Sequence, residues 1–270
     1  MGEIYYFIIV GQGEISMSEQ GRSASTVERA LDILWLMYRE NRELGVTEIA
    51  QHIGVYKSAV HRTLTALQKK GFVEQNAANG KYWLGMAVFS MGMAYRNKIT
   101  LKDVCRPFLE ELAQKLNESV NLGILDKTKS NVILIDRLIT QKHLTMVPPV
   151  GSGSPAHSSG IGKAILSYLD DIDIEKVFSG NLTRFTANTI TDFNRLKEEF
   201  RVIRDRGYSI DNEELEIGLM CVAAPIFNKE GVIAAFSVSG PTGRFQGERF
   251  IQIVNEVKNT SKLISEKLRG

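Results

Sequence analysis

The stretch from Val46 to Val73 constrains the fold most, because it reads as two short helices joined by a tight turn. Gly54 interrupts the helical periodicity where a helix-turn-helix needs its bend. In the second helix, Val60, Leu64 and Leu67 recur on one side. The opposite side carries hydrogen-bond donors, two of them cationic: Lys57, Ser58, His61, Arg62 and Thr65. Such a helix fits the major groove of B-DNA, where these groups reach phosphates and base edges.

The first of these helices is predicted to begin at Thr47, which we take as an N-cap and a candidate DNA contact. Glu48 then suits the positive end of the helix dipole. The competing interpretation is a solvated amphipathic helix in any small domain, because helix-turn-helix patterns are degenerate.

The residues after the second helix favour the DNA-binding interpretation. Two short apolar runs, 72–74 and 81–84, flank a polar segment that ends in Asn79-Gly80, a strong hairpin signal. Helix, turn, helix and hairpin together predict a winged helix-turn-helix. Between Val55 and Trp83 there are five lysines and arginines against one glutamate, whereas the whole chain carries only +2. This positive charge, including Lys81 in the hairpin, lies where a phosphate backbone would run.

Length and composition indicate a protein of two ordinary domains. The chain has 270 residues, of which 43% are hydrophobic and 24% charged, as in soluble globular proteins. Cys105 and Cys221 are far apart, so we expect no disulfide framework, and a cytoplasmic location fits. Residues 1–22 are predicted to be a disordered or mis-started extension. The apolar run from Tyr5 to Val10 is too short to span a membrane.

The remaining chain divides into three predicted parts: a winged helix-turn-helix domain over 23–84, a linker helix over 85–99 and an α+β domain over 100–270. The 85–99 helix has two interpretations, a core helix of the second domain or a linker that pairs with its twin in a dimer. In the second domain we expect a helix capped by Thr100, then strands near 120–125, 132–138 and 143–147. Helices near 159–169, 174–178 and 192–206 follow, then strands 222–227 and 232–239, and a final helix over 248–268.

Four stretches of the chain carry a resemblance to a known family: Arg29–Leu34 (RALDIL), Thr47–Val73, Ser154–Leu166 (SPAHSSGIGKAIL) and Arg204–Pro241. Together they resemble the IclR family of bacterial transcriptional regulators over Ser25 to Leu268. The resemblance implies a DNA-binding winged helix and a GAF-like α/β domain that binds a small organic or aromatic acid. It also implies a homodimer, or a tetramer built from dimers, on an operator in double-stranded DNA. One departure is Ala59, where the family often has Ser or Thr.

The resemblance also places candidate effector-binding residues in the second domain. Strand alternation puts Phe236 and Val238 on one face and Ser237 and Ser239 on the other, and those serines either line a cup or face solvent. Cys221 is either pocket-lining or a small buried hydrophobe. Asp211 is expected in the loop before it. The helix start at Ser159, Gly160 and Ile161 offers free backbone amides for a carboxylate.

An enzyme tethered by a winged helix is the alternative from another functional class. Cys221 with His157 could be imagined as a nucleophile and a base, but the sequence offers no third orienting residue or oxyanion motif. A zinc site using His143 or His157 has no diagnostic ligand spacing. We therefore predict a regulator with no catalytic residues and no cofactor, and we assign no metal ligands. Repression is the expected mode of regulation, although no sequence feature distinguishes a repressor from an activator.

Overall fold

The computed structural model describes residues 25–98, 100–126, 128, 130–139, 149–170, 174 and 182–270. These residues form two compact units with a boundary before Thr100. The predicted N-terminal extension, the third strand at 143–147 and all but Ile174 of the helix at 174–178 lie outside the described residues. Within the described ranges, every helix is too short or too polar to span a bilayer.

The first unit is a winged helix-turn-helix. Its elements are α1 (Thr26–Glu40), α2 (Val46–Ile53), α3 (Lys57–Lys69), β1 (Val73–Gln75), β2 (Tyr82–Leu84) and α4 (Met86–Lys98). Strands β1 and β2 pair antiparallel, and Leu44 adds a single bridge to Tyr82. The side chains of Ile33, Ile49, Val60 and Leu64 are fully buried together, so the three helices share one core.

Several local predictions in this unit are wrong. Helix α2 begins after Gly45, whose amide donates to the Glu48 carboxylate at 2.8 Å, so Thr47 is an exposed helical residue and not the cap. In α1, helical spacing predicts one apolar face from Val27, Ala30, Leu31, Leu34, Met37 and Tyr38. Val27 and Leu31, however, are 69% and 52% exposed. The buried side of α1 is formed by Ile33, Leu36 and Met37.

The predicted hairpin forms, and its turn is not a two-residue turn at Asn79-Gly80. The last strand pair joins Gln75 to Tyr82, and the amide of Asn76 donates to the carbonyl of Lys81 at 2.8 Å. A two-residue type I′ turn needs positive φ at both central residues, but only Gly80 of the Asn79-Gly80 pair has it. The loop is therefore longer, and Asn76 and Asn79 hold it by donating to the carboxylate of Glu43.

The second unit is an antiparallel sheet between helices, as predicted for an α+β domain. Its elements are α5 (Leu101–Leu116), β3 (Ser119–Asp126), β4 (Asn131–Leu138), β5 (Gly153–Pro155), α6 (Gly160–Leu166), α7 (Phe193–Arg206), β6 (Ser209–Asn212), β7 (Leu219–Phe227), β8 (Val232–Pro241) and α8 (Gly247–Arg269). The six strands run in the order β5-β4-β3-β8-β7-β6. Helices α5 and α8 pack against the sheet, and α6 and α7 share a core with Val132, Ala223 and Ala235.

Three differences in this unit affect the site. Asp211 lies in the edge strand β6, opposite Cys221, and not in the loop where the sequence placed it. Ser154 belongs to the short strand β5, which pairs with β4 and was not predicted from the sequence. Thr100 occupies the N-cap position of α5, as predicted, but its side chain makes no capping bond.

Candidate functional site

The outer face of α3, defined by Lys57, Ser58, His61, Arg62 and Thr65, is exposed throughout. Behind it, Val60 and Leu64 are completely buried, as the helical spacing predicted. The structure thus presents these donors side by side on one helix and leaves them accessible to a macromolecular partner.

Helix α3 is fixed to its support by a polar contact that the sequence did not reveal. The guanidinium of Arg29, on α1, donates to Thr63 Oγ1 at 3.0 Å, and Thr63 Oγ1 donates to the carbonyl of Ala59 at 3.0 Å. Thr63 is only 2% exposed. The contact holds α3 against α1, so its outer face is presented on a rigid element.

The remaining predicted contact residues of this unit lie at the margin of that face. Thr47 is exposed on α2, whereas Lys81 is partly exposed and pairs with Glu48 at 3.5 Å. Tyr56, the N-cap of α3, was missed by sequence reasoning although it is 87% exposed. An aromatic side chain this exposed, immediately before Lys57, is a further candidate for a DNA contact.

In the second unit, strand register brings the predicted effector residues onto one face of the sheet. Asp211 lies opposite Cys221, which lies opposite Ser239 on the next strand. In the neighbouring row, Ser237 lies opposite Asn121. Residues directly opposite each other in antiparallel strands share a face, so these five side chains point the same way.

Helix α6 covers this face closely. A methyl group added at Gly160 would lie 3.4 Å from the Cβ atoms of Cys221 and Ala223 and 3.8 Å from the Cβ atom of Asp211. Ser159 caps the helix by accepting from the amide of Gly162 at 3.0 Å, as the sequence predicted. The absence of a side chain at Gly160 therefore lets α6 approach the sheet closely.

Beside this contact lies a partly open cavity of about 60 Å³, which we call the serine cavity. All seven residues predicted to bind an effector line it: Ser159, Gly160, Ile161, Asp211, Cys221, Ser237 and Ser239. The other residues that line it are Asn121, Val132, Leu134, Ser154, Leu215 and Leu219. The serine cavity therefore combines hydroxyl groups, one amide and one carboxyl group with an apolar rim.

Hydrogen bonds link the polar wall of the serine cavity. Asn121 Nδ2 donates to Ser239 Oγ at 3.2 Å, and Ser239 Oγ donates to Cys221 Sγ at 3.1 Å. Asn121 Oδ1, however, is buried without a hydrogen-bond partner among the described residues. A buried acceptor of this kind needs a donor from water or a ligand.

Asp211 lines the serine cavity and is 1% exposed. Its Oδ1 accepts from the amide of Glu214 at 2.8 Å and from that of Leu215 at 3.4 Å. Burial raises the pKa of the Asp211 carboxyl to about 7, although nearby Lys163 and the Glu214 amide act in the opposite direction. The carboxyl can therefore be neutral or charged near physiological pH.

Lys163 and Glu214 form a buried ion pair next to Asp211, 1% and 6% exposed respectively. Burial raises the pKa of the Glu214 carboxyl, and Glu214 Oε2 has no partner among the described residues. The pair joins α6 to the segment after β6, so it fixes the two walls of the serine cavity to each other.

The arrangement does not support the Cys221–His157 pair considered for an enzyme. Burial raises the pKa of the Cys221 thiol well above its ordinary value, which disfavours the thiolate that nucleophilic attack needs. His157 Nε2 is 2.9 Å from the carbonyl oxygen of Thr183, and burial lowers the pKa of its ring. In the described part of the chain, no three His, Cys, Asp or Glu side chains are grouped to hold a metal ion.

Comparisons with known proteins cover both units. Residues 26–77 match the family described as "IclR helix-turn-helix domain", and residues 93–266 match "Bacterial transcriptional regulator IclR C-terminal". The chain is 36% identical to the HTH-type transcriptional regulator BhcR of Paracoccus denitrificans over 92% of this chain and 88% of that protein. It is 33% identical to the transcriptional repressor IclR of Escherichia coli K12 over 89% of this chain and 88% of that protein.

A solved structure shows the same fold. The crystal structure of an IclR homolog from Microbacterium hydrocarbonoxydans, complexed with 4-hydroxybenzoate, has a TM-score of 0.75 over 90% of this chain and 100% of that chain, at 23% identity. The helix-turn-helix, the α/β unit and the matches over both confirm the regulator prediction against the enzyme alternative. The chain belongs to the IclR family of bacterial transcriptional regulators.

Proposed function

We propose that this regulator represses transcription by binding a palindromic operator as a homodimer, and that a small carboxylic acid in the serine cavity changes its operator affinity. The observation that carries this proposal is the convergence of seven residues, predicted from the sequence as an effector site, on one cavity. The E. coli relative is a repressor by name, and the Microbacterium relative was crystallised with an aromatic acid. As a DNA-binding protein, it would act in the cytoplasm.

The outer face of α3 would contact DNA. In this proposal Lys57 and Arg62 bind phosphates or base edges, Ser58, His61 and Thr65 add hydrogen bonds, and Tyr56 packs against the groove wall. Thr47 on α2 and Lys81 in the wing contact the flanking backbone, where Lys81 exchanges its pairing with Glu48 for a phosphate. Such contacts position the protein and supply most of its salt-dependent affinity.

The serine cavity has room for a short aliphatic acid. A cavity needs about 10–15 Å³ to hold one water molecule, so 60 Å³ holds about four to six atoms of that size. The serine hydroxyls can donate to a carboxylate, and Asn121 Oδ1 can accept from a hydroxyl group of the ligand. A two- to four-carbon hydroxy acid meets both requirements.

A dimer would cover two apolar faces of the first unit. On α1, Val27, Leu31 and Trp35 lie one turn apart and are 69%, 52% and 47% exposed. On α4, Phe89 and Tyr95 are 61% and 64% exposed. Contiguous exposed apolar residues mark interaction surfaces, and a two-fold dimer matches a palindromic operator. Analytical ultracentrifugation distinguishes such a dimer from a tetramer built of two dimers.

The experiment that tests the proposal is a thermal-shift screen of two- to seven-carbon carboxylic acids on the full chain. A ligand at 100 times its dissociation constant stabilises a protein by about 2.7 kcal/mol. We expect at least one short acid to raise the melting temperature of the wild type, and Ser239→Val to abolish that rise. No shift from any acid would contradict the effector part of the proposal, and operator binding would still be measured separately.

A further inference from the structure

The charges around the serine cavity conflict with an anionic ligand. Among the described residues that line the cavity, none carries a positive charge at neutral pH, and Asp211 contributes a carboxyl group. If Asp211 is ionised, a bound carboxylate meets a like charge in a site with little water to screen it, which is costly. The ligand proposed above therefore needs a partner for its charge.

Every neighbouring element contributes to the charge that Asp211 experiences. Lys163 on α6 is neutralised by its ion pair with Glu214, which follows β6. Cys221 on β7 stays a neutral thiol, because burial raises its pKa. His157, before α6, is buried with its pKa lowered, and Glu199 on α7 adds a further negative charge near Glu214.

Arg137, on the same face of the sheet, lies at the Asn121 end of the cavity and too far from Asp211 to neutralise the charge of Asp211 itself. Arg137 is opposite Asn121 on β4, four strands from Asp211 in the order β4-β3-β8-β7-β6. At about 4.8 Å per strand, the two backbones are roughly 19 Å apart. Lys163, Glu214 and an ionised Asp211 thus sum to one uncompensated negative charge before any ligand enters.

The geometry of Asp211 suits it to share a proton with a ligand. Both of its hydrogen bonds within the described residues use Oδ1, so Oδ2 is left for the cavity. Asp211 lines the serine cavity together with Ser159 and Gly160 at the start of α6. A carboxylate placed there would lie within hydrogen-bonding reach of a protonated Asp211.

We propose, on the basis of the function proposed above, that the serine cavity binds the carboxylate of its effector together with one proton, which Asp211 and that carboxylate share. Asp211 then acts as a hydrogen-bond donor that selects carboxylates. Burial already places the pKa of this carboxyl near neutrality, so the proton is available at little cost around pH 7. Effector binding, and with it the change in operator affinity, becomes weaker as the pH rises.

The test is calorimetric titration of the full chain with acetate, lactate and 4-hydroxybenzoate, each compared with its primary amide, at pH 6, 7 and 8.5. For any acid that binds, we expect the dissociation constant to rise up to tenfold per pH unit above pH 7. Titrations in buffers with different ionisation enthalpies should show uptake of nearly one proton per acid at pH 8.5. The amides need no proton, so their affinities should not depend on pH.

Two variants separate this effect from a general pH dependence. Asp211→Asn keeps an acceptor for the Glu214 amide and a permanent donor for the ligand, so it should bind the acids with the same affinity from pH 6 to 8.5 and take up no proton. Asp205→Asn makes the same chemical change at an exposed position on α7 and should behave as the wild type.

Several results would overturn the proposal. One is a wild-type affinity for acids that stays constant from pH 6 to 8.5 without proton uptake. Another is a folded Asp211→Asn protein, judged by circular dichroism, that no longer binds acids at pH 6. If that variant does not fold, the wild-type proton count alone decides. If no acid binds at any pH, the proposal and the carboxylate class fall together, whereas operator binding by α3 stands or falls on its own measurement.

Discussion

Replacing Arg62 by alanine tests whether the outer face of α3 meets DNA. Arg62 is exposed on that face, opposite the buried Val60 and Leu64, so the substitution should remove a cation without disturbing the core. In a dimer the change occurs twice per operator. Removing one cation from a phosphate reduces the slope of log affinity against log salt by about 0.9, so removing two reduces it by about 1.8.

That change in slope corresponds to a measurable difference in affinity. Between 50 and 200 mM salt, a slope difference of about 1.8 changes the ratio of wild-type to variant affinity by about 12-fold. The assay is fluorescence anisotropy on an operator selected by the wild-type protein from a random duplex library. Arg201→Ala, which removes the same charge at an exposed position on α7, is the control and should leave the slope unchanged.

Arg62→Lys distinguishes a phosphate contact from a base contact. Lysine keeps the charge but lacks the planar fork that reads guanine, so a phosphate role predicts a retained slope and retained sequence preference. A base role predicts a retained slope with relaxed preference at one position. If Arg62→Ala changes neither the slope nor the preference, α3 does not lie on the operator and the reasoning from its exposed cations is refuted.

Stability, packing and assembly each provide a further prediction. The free energy of unfolding of the wild type should fall relative to Asp211→Asn by about 1.4 kcal/mol per pH unit between pH 4 and 7, and the difference should stay constant above pH 7, as measured by urea denaturation. The sign follows because the native carboxyl, with a pKa of about 7, holds a proton that the unfolded chain has released above its pKa of 3.8; a difference that does not vary with pH would contradict its burial. Gly162→Ala should lower the free energy of unfolding by about 3 kcal/mol or more, because its Cβ atom would lie 2.1 Å from the carbonyl oxygen of Ala156. Gly160→Ala, with its closest contacts at 3.4 Å, should fold and weaken acid binding. Equal melting temperatures for the two variants would be inconsistent with this packing. Leu31→Glu on α1 should shift the chain towards monomer in analytical ultracentrifugation, and Val202→Glu, at a similarly exposed position on α7, should not; an unchanged dimer, or a tetramer that survives intact, would place the interface elsewhere.

The parts of the site predicted correctly from the sequence depend on short-range periodicity. Val60 and Leu64 on one side of α3, with Arg62 on the other, follow from the helical repeat alone. Ser237 and Ser239 follow from the alternation along β8 in the same way. The same alternation in β3 could have identified Asn121, because Ser119 and Asn121 alternate with Val120 and Leu122.

The features missed depend on contacts between distant segments. Strand β6 has only four residues, Ser209–Asn212, and two of them are poor strand formers; it exists because the edge of β7 offers partners. For the same reason Asp211 was assigned to a loop. The ion pair between Lys163 and Glu214 joins residues 51 positions apart, so no local pattern could have predicted it.

The capping errors have a different cause, competition between neighbouring residues. Thr47 is a better N-cap by residue type than Gly45. Glu48, however, reaches back to the Gly45 amide and starts the helix two residues earlier. The preference of Thr47 for the N-cap position is therefore outweighed by the hydrogen bond between the Gly45 amide and the Glu48 side chain, three positions further along the chain.

The most direct test of the whole account is operator affinity measured with and without an acid that stabilises the protein. Anisotropy titrations of the selected operator, at fixed salt and pH 7, should show a change in the dissociation constant of about 5- to 150-fold when the acid saturates the serine cavity. Ser239→Val should remove that change and leave the acid-free affinity intact. An acid that raises the melting temperature of the wild type but leaves its operator affinity unchanged would contradict the coupling between the serine cavity and DNA binding.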